Sequence, residues 1–149
     1  MIKKGVYAAS LSVLRVDGSL NIDATIEHAV SSIKKGLHGV FFFGSTGQSQ
    51  LISISEKKEL ISKLALNKYK KQFFLGTGNN SLKENIEIIK YAMEYEFNSF
   101  LLMPPAYYKG NTDEGVFNFY ALIISKIPKI KIILYNFEKL SGYKFTVNS

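Results

Sequence analysis

Five short runs of consecutive apolar residues recur along this chain, near positions 6–9, 40–43, 73–75, 100–103 and 130–135, about one strand-helix unit apart. The runs are continuous rather than alternating, the signature of strands covered on both faces and hence of a parallel sheet with crossover helices. The intervening segments carry helical periodicity. Ile22, Ile26, Val30 and Ile33 fall on one face, as do Leu60, Ile61 and Leu64, then Ile86, Ile89 and Met93, then Phe117, Tyr120, Ile123 and Ile124. Ser53 with Glu56, Ser81 with Glu84 and Asn111 with Glu114 have capping-box spacing, and Gly36 stands where a helix would end. The predicted order is strand-helix four times and then a fifth strand, in one domain over residues 1–149. Two α/β architectures accommodate that order: an open doubly wound sheet of flavodoxin type, or part of a closed (β/α)8 barrel. A whole barrel takes about 250 residues, so this chain would provide only part of one.

Composition narrows the functional classes. A hydrophobic content of 46% with 13% aromatic residues is ample for a core. No apolar run approaches the roughly 20 residues a membrane helix needs, so no membrane partner is expected. The segment Met1-Ile2-Lys3-Lys4-Gly5 lacks the features of a secretory signal, and a cytoplasmic location is expected. With no cysteine, disulfides, thiolate metal sites and cysteine nucleophiles are excluded. The net charge of +7 raises the question of nucleic acid. However, Lys34-Lys35 and Lys68-Tyr69-Lys70-Lys71 fall at helix ends, where cations meet the helix dipole, and Arg15 is the single arginine. No nucleic-acid partner is expected.

In either architecture functional groups gather at the carboxy ends of the strands. Gly44-Ser45-Thr46-Gly47 follows the second run, where it reads equally as an anion cradle of backbone N–H groups or as a tight strand-to-helix turn. Gly76-Thr77-Gly78 follows the third, but Ser81 stands where a dinucleotide fingerprint wants its last glycine. Tyr107 and Tyr108 follow Pro104-Pro105, and Tyr135 closes the fifth run, so several phenols converge on the strand ends. His28 and His38 are isolated from one another and suit surface or packing roles. The glutamates are explained by capping and lysine pairing. Neither a metal nor a nucleotide cofactor is expected.

Taken in order, Gly5-Val6-Tyr7-Ala8-Ala9, Asp17-Gly18, Gly44-Ser45-Thr46-Gly47, Glu56-Lys57-Lys58-Glu59, Pro104-Pro105-Ala106-Tyr107-Tyr108, Tyr135-Asn136 and Leu140-Ser141-Gly142 resemble the family of dihydrodipicolinate synthase and N-acetylneuraminate lyase. These are pyruvate-dependent class I aldolases. The resemblance implies a partial TIM (β/α)8 barrel, with the first five parallel strands and four crossover helices. It also implies a carbon-carbon lyase or aldolase that takes pyruvate or another 2-keto acid through a Schiff base. Ser45 and Thr46, with Gly47 completing the turn, would hold the pyruvate carboxylate. Tyr135 would transfer the proton, linked through the Ser45 hydroxyl to Tyr108, which family members lend to a neighbouring subunit.

The same resemblance marks departures. Leu140 occupies the place where dihydrodipicolinate synthases carry an arginine for the carboxylate of aspartate semialdehyde, so a sugar-acid type substrate is expected. The alternative is 4-hydroxy-tetrahydrodipicolinate synthase activity in lysine biosynthesis. Gln48 stands for a usual glutamate and Glu138 for a usual proline. The Schiff-base lysine belongs on a sixth strand, and neither Lys139 nor Lys144 matches it in position. The chain is therefore expected to be truncated and inactive alone, acting in a homo-oligomer or with a complementing carboxy-terminal half. From a different class comes the reading of a non-enzymatic carboxylate-binding or interaction module.

Overall fold

The computed structural model describes residues 3–146. Five strands, β1 (Tyr7–Ala9), β2 (Gly39–Phe42), β3 (Phe73–Gly76), β4 (Ser99–Leu102) and β5 (Lys131–Leu134), alternate with helices α1 (Ile22–Lys34), α2 (Ile54–Ala65), α3 (Leu82–Glu94) and α4 (Asp113–Lys126). A short helix α5 (Glu138–Ser141), absent from the sequence expectation, follows β5. All strand pairs are parallel and the spatial order is β1-β2-β3-β4-β5. That order separates the two architectures. A flavodoxin-like sheet reverses direction at a switch point, whereas a sheet in sequential order with consecutive helices packed on one another is a segment of a (β/α)8 barrel wall.

The two faces of the sheet are unequally covered. Val40, Phe42, Phe73, Leu75, Phe100 and Leu102 point toward the helices and are buried, together with Ile33, Leu60, Ile61, Leu64, Ile88, Ile89 and Ile123. The opposite face carries Tyr7, Phe41, Phe74 and Leu101, all half-buried. Phe41 stacks on Phe74 with ring centroids 5.1 Å apart, and Tyr7 meets Phe74 edge-on at 5.5 Å. This second face is the one a closed barrel packs inside itself.

Local signals set the helix boundaries, with two corrections. The capping box at Ser53 and Glu56 is complete, and the Glu56 carboxylate also accepts from the Leu20 N–H at 2.7 Å. Those hydrogen bonds, Ser53 first, hold the Glu56 carboxyl below its usual range. Ser81 caps α3 by accepting from Glu84 N. Helix α4, however, is capped by Thr112, whose hydroxyl accepts from Gly115 N at 3.1 Å, while the Asn111 carboxamide turns away to the Pro105 carbonyl. The buried face of α4 is Val116, Phe119, Tyr120 and Ile123, rotated from the expected one, and Phe117 and Ile124 are exposed. His38 has the packing role expected of it: its backbone N–H donates to Val6 O and its Nδ1 accepts from Val6 N, which fastens the start of β1 to β2. No helix among the described residues is long and apolar enough to cross a membrane.

Candidate functional site

A cavity of about 520 Å³ opens at the carboxy ends of the strands. Its wall includes Gly44 and Ser45 after β2, Gln48 to Leu51, Gly78 and Asn80 after β3, Met103 to Tyr107 in part after β4, and Tyr135 and Leu140 after β5. None of the lining side chains is charged.

The turn after β2 begins with Phe43 in the left-handed region at φ 58°, which redirects the chain as it leaves the sheet. Gln48 N donates to Ser45 O and Ser49 N to Gly44 O, so the four-residue turn closes on itself and feeds a 3₁₀ turn at Ser49–Leu51. The Ser45 and Thr46 N–H groups have no acceptor among the described residues. Successive free amides are a pattern able to accept an anion. Gly47 is buried against β1, where a Cβ would stand 2.8 Å from Ser10 O. It is the glycine that lets the turn seat, and the cavity wall takes Gly44 and Ser45 from the turn instead. Thr46 is exposed beside them.

Ser45 Oγ lies 2.9 Å from the Tyr135 hydroxyl, joining the ends of β2 and β5 across the cavity mouth. The sequence brings these two residues together from 90 positions apart. Tyr135 N donates to Leu102 O at 3.0 Å, continuing the β4–β5 ladder by one residue, so the phenol is carried by the rigid sheet rather than by a free loop. Reciprocal bonds between Asn136 and Phe145, and from the Tyr143 hydroxyl to Asp113 Oδ1, tie the following segment back to α4. That anchorage brings Leu140 into the cavity wall.

Tyr108 is not in the Ser45–Tyr135 pair. It stands 83% exposed, with its ring edge-on to Tyr107 at 5.2 Å, and Tyr107 is the one that borders the cavity. Lys139 and Lys144 are exposed and outside the lining.

Sequence reasoning passed over three contributors. Gln50 Nε2 donates to Gly78 O at 2.6 Å, Asn80 Oδ1 accepts from Ala106 N at 2.9 Å, and the fully buried Lys57 donates to Thr77 O and Asn79 Oδ1 of the same loop. The third was detectable: Lys57 shares the helical spacing of Leu60, Ile61 and Leu64, which places it on the buried face of α2.

A sequence model of the dihydrodipicolinate synthetase family matches residues 3–149. Among curated proteins, the chain is 35% identical over 134 residues to the 4-hydroxy-tetrahydrodipicolinate synthase of Leptospira biflexa, covering 89% of this chain and 45% of that one. It is 29% identical over 149 residues to the N-acetylneuraminate lyase of Clostridium perfringens, covering 97% and 50%. Among solved structures, dihydrodipicolinate synthase from Agrobacterium tumefaciens superposes with a TM-score of 0.89 at 28% identity, covering 98% of this chain and 52% of that one. The chain thus spans about half the length of the proteins it matches.

Proposed function

Because the chain belongs to the dihydrodipicolinate synthetase family, we propose that it provides the carboxylate-binding and proton-transferring part of a pyruvate-dependent class I aldolase or lyase. The observation that carries this reading is the 2.9 Å contact between Ser45 Oγ and the Tyr135 hydroxyl at the mouth of the cavity. In this reading the free Ser45 and Thr46 amides receive the carboxylate of pyruvate or another 2-keto acid. Tyr135 moves the proton that accompanies carbon-carbon bond cleavage or formation, and Ser45 passes it on. Tyr108, exposed in its own subunit, serves the site of a neighbouring copy in a homo-oligomer.

The ketone must also condense with a lysine amine to form the iminium electron sink, a covalent step that no serine or tyrosine replaces. We place that lysine on a sixth strand, beside β5, in the remaining units of the barrel or in a complementing carboxy-terminal half. The half-covered face bearing Tyr7, Phe41 and Phe74 is the surface those units would close over. On this reading residues 1–149 alone are inactive.

For the second substrate we favour a sugar-acid type compound over aspartate semialdehyde. Relatives of both activities resemble the chain, so the choice rests on Leu140, which puts an apolar side chain in the wall where an arginine would clamp a carboxylate.

Borohydride trapping with pyruvate, read by mass spectrometry, tests the reading. The chain alone should give no adduct. Co-expressed with the sixth to eighth strand-helix units of a relative, it should give one adduct on the sixth-strand lysine. A stoichiometric adduct on Lys139 or Lys144, or none in the completed barrel, refutes it. In the completed protein, Tyr135→Phe should lower turnover by roughly 10² to 10⁴ with the fold retained.

A further inference from the structure

Lys57 projects from α2 into the core and is 0% exposed. Its Nζ donates to Thr77 O at 2.9 Å and to Asn79 Oδ1 at 2.8 Å, with the ring of Phe43 5.8 Å away. Both acceptors belong to the loop that leaves β3, and both are themselves buried. The next residues of that loop build the cavity: Gly78 O receives Gln50 Nε2, and Asn80 Oδ1 receives Ala106 N at the head of the tyrosine segment. The loop has no slack. Gly78 adopts φ +57°, and a Cβ there would collide with the Ser49 side chain.

We propose that Lys57 is a positioning residue for the carboxylate site: its buried amine fixes the 77–80 loop, and the loop fixes Gln50 and the 106–108 segment around the cavity. The proposal rests on the reading of the cavity as that site. Lys57 is not a nucleophile. It lies outside the cavity lining, and its two hydrogen bonds point into the loop. Burial lowers its pKa to about 8, but no ligand can reach it. Removing the amine would leave the buried Asn79 Oδ1 unpaired and Thr77 O with only the long 3.5 Å contact from Ser49 Oγ, and the loop restores full pairing only by opening to water, which displaces Gly78 and Asn80.

Residue-resolved hydrogen exchange on the 149-residue chain decides the point. Lys57→Met should lower protection of the Ala106 amide by about tenfold or more, while the amides of β3 and β4 change by less than about twofold. Asn80→Ala, which removes the direct partner of Ala106, sets the full size of the effect. Unchanged protection at Ala106, or an equal loss throughout the strands as from a purely structural role, overturns the proposal. Should Lys57→Met not fold, Asn79→Ala removes one acceptor only and is read the same way. Pyruvate titration by calorimetry is kept separate and uses the barrel completed with a relative's remaining units: if that protein binds no pyruvate, the site reading fails, yet the exchange result still decides the positioning role. A borohydride adduct of pyruvate on Lys57 would also overturn it.

Discussion

Between pH 7.5 and 9.5 this chain should become more stable, by about 2 kcal/mol, because of Lys57 alone. Desolvation in the core lowers the folded-state pKa from 10.5 to about 8, partly opposed by the Glu84 carboxylate at the start of α3. The other groups facing the amine are neutral: Thr77 and Asn79 from the β3–α3 loop and the Phe43 ring at the end of β2. Below about pH 8 folded and unfolded chains both hold the proton. Between about 8 and 10.5 the unfolded lysine still binds it while the folded one has released it, so stability climbs with pH, with an upper limit of about 3 kcal/mol for the full shift. The neutral amine keeps two N–H donors for its two acceptors, so the loop contacts survive the titration. Above pH 10 the trend reverses. Burial, with Tyr143 nearby, raises the Tyr120 phenol far above its ordinary value, so the unfolded chain ionises first. Urea unfolding followed by circular dichroism at pH 7.5, 8.5 and 9.5 would show the midpoint rising by about 1 M, for a slope of about 2 kcal/mol per M. Lys57→Met should lose this pH dependence. A flat profile for the unmodified chain, or the same slope in Lys57→Met, refutes the reasoning.

Further outcomes follow from single contacts. Gly78→Ala places a methyl group against Ser49 at a positive φ, and should cost about 1–3 kcal/mol in chemical denaturation. Thr112→Ala removes the α4 cap and should cost about 1 kcal/mol, whereas Asn111→Ala should leave the helix start unchanged, each read from urea midpoints. Leu140→Arg in the completed protein should raise kcat/KM for aspartate semialdehyde. If the protein with Leu140 intact already condenses pyruvate with that aldehyde efficiently, the sugar-acid reading is wrong.

What the sequence disclosed depended on how local its causes are. The five strands were legible because short continuous apolar runs bounded by turn residues are what a strand covered on both faces requires, and Tyr135 was legible because a polar aromatic residue closing such a run must lie at the strand end. The order of strands was not legible in the apolar pattern, since strand-helix alternation is common to open sheets and barrels and pairing is fixed only by long-range contacts; the family resemblance alone pointed to the barrel that the sheet order bears out. The buried face of α4 departs from expectation for a different reason. Val116, Phe117, Phe119, Tyr120, Leu122, Ile123 and Ile124 wrap most of that helix, so periodicity cannot select the covered arc. The shift from Asn111 to Thr112 is a matter of one residue, because either side chain can cap and only the competing Pro105 carbonyl decides which does.

Lys57 shows where composition misleads. Within Glu56-Lys57-Lys58-Glu59 it reads as one charge of a solvated run, and its neighbours bear that out: Glu56 caps the helix and Lys58 pairs with Glu87 at 2.7 Å. The helix turns Lys57 inward between them, toward the buried Asn79 Oδ1 and Thr77 O, of which Thr77 O otherwise has only the 3.5 Å contact from Ser49 Oγ. That arrangement ties the site to the sheet. The turn bearing Ser45, the loop bearing Asn80 and the segment bearing Tyr107 leave three different strands, and each could drift independently if only its own backbone held it. Gln50 bonds the first to the second and Ala106 bonds the third to the second. The second is therefore the one that must be fixed from below: Thr77 N meets Leu101 O of β4 at 3.4 Å and Asn85 Nδ2 holds Asn79 O at 3.0 Å, and the buried Lys57 amine adds, from α2, the hold on Thr77 O and Asn79 Oδ1.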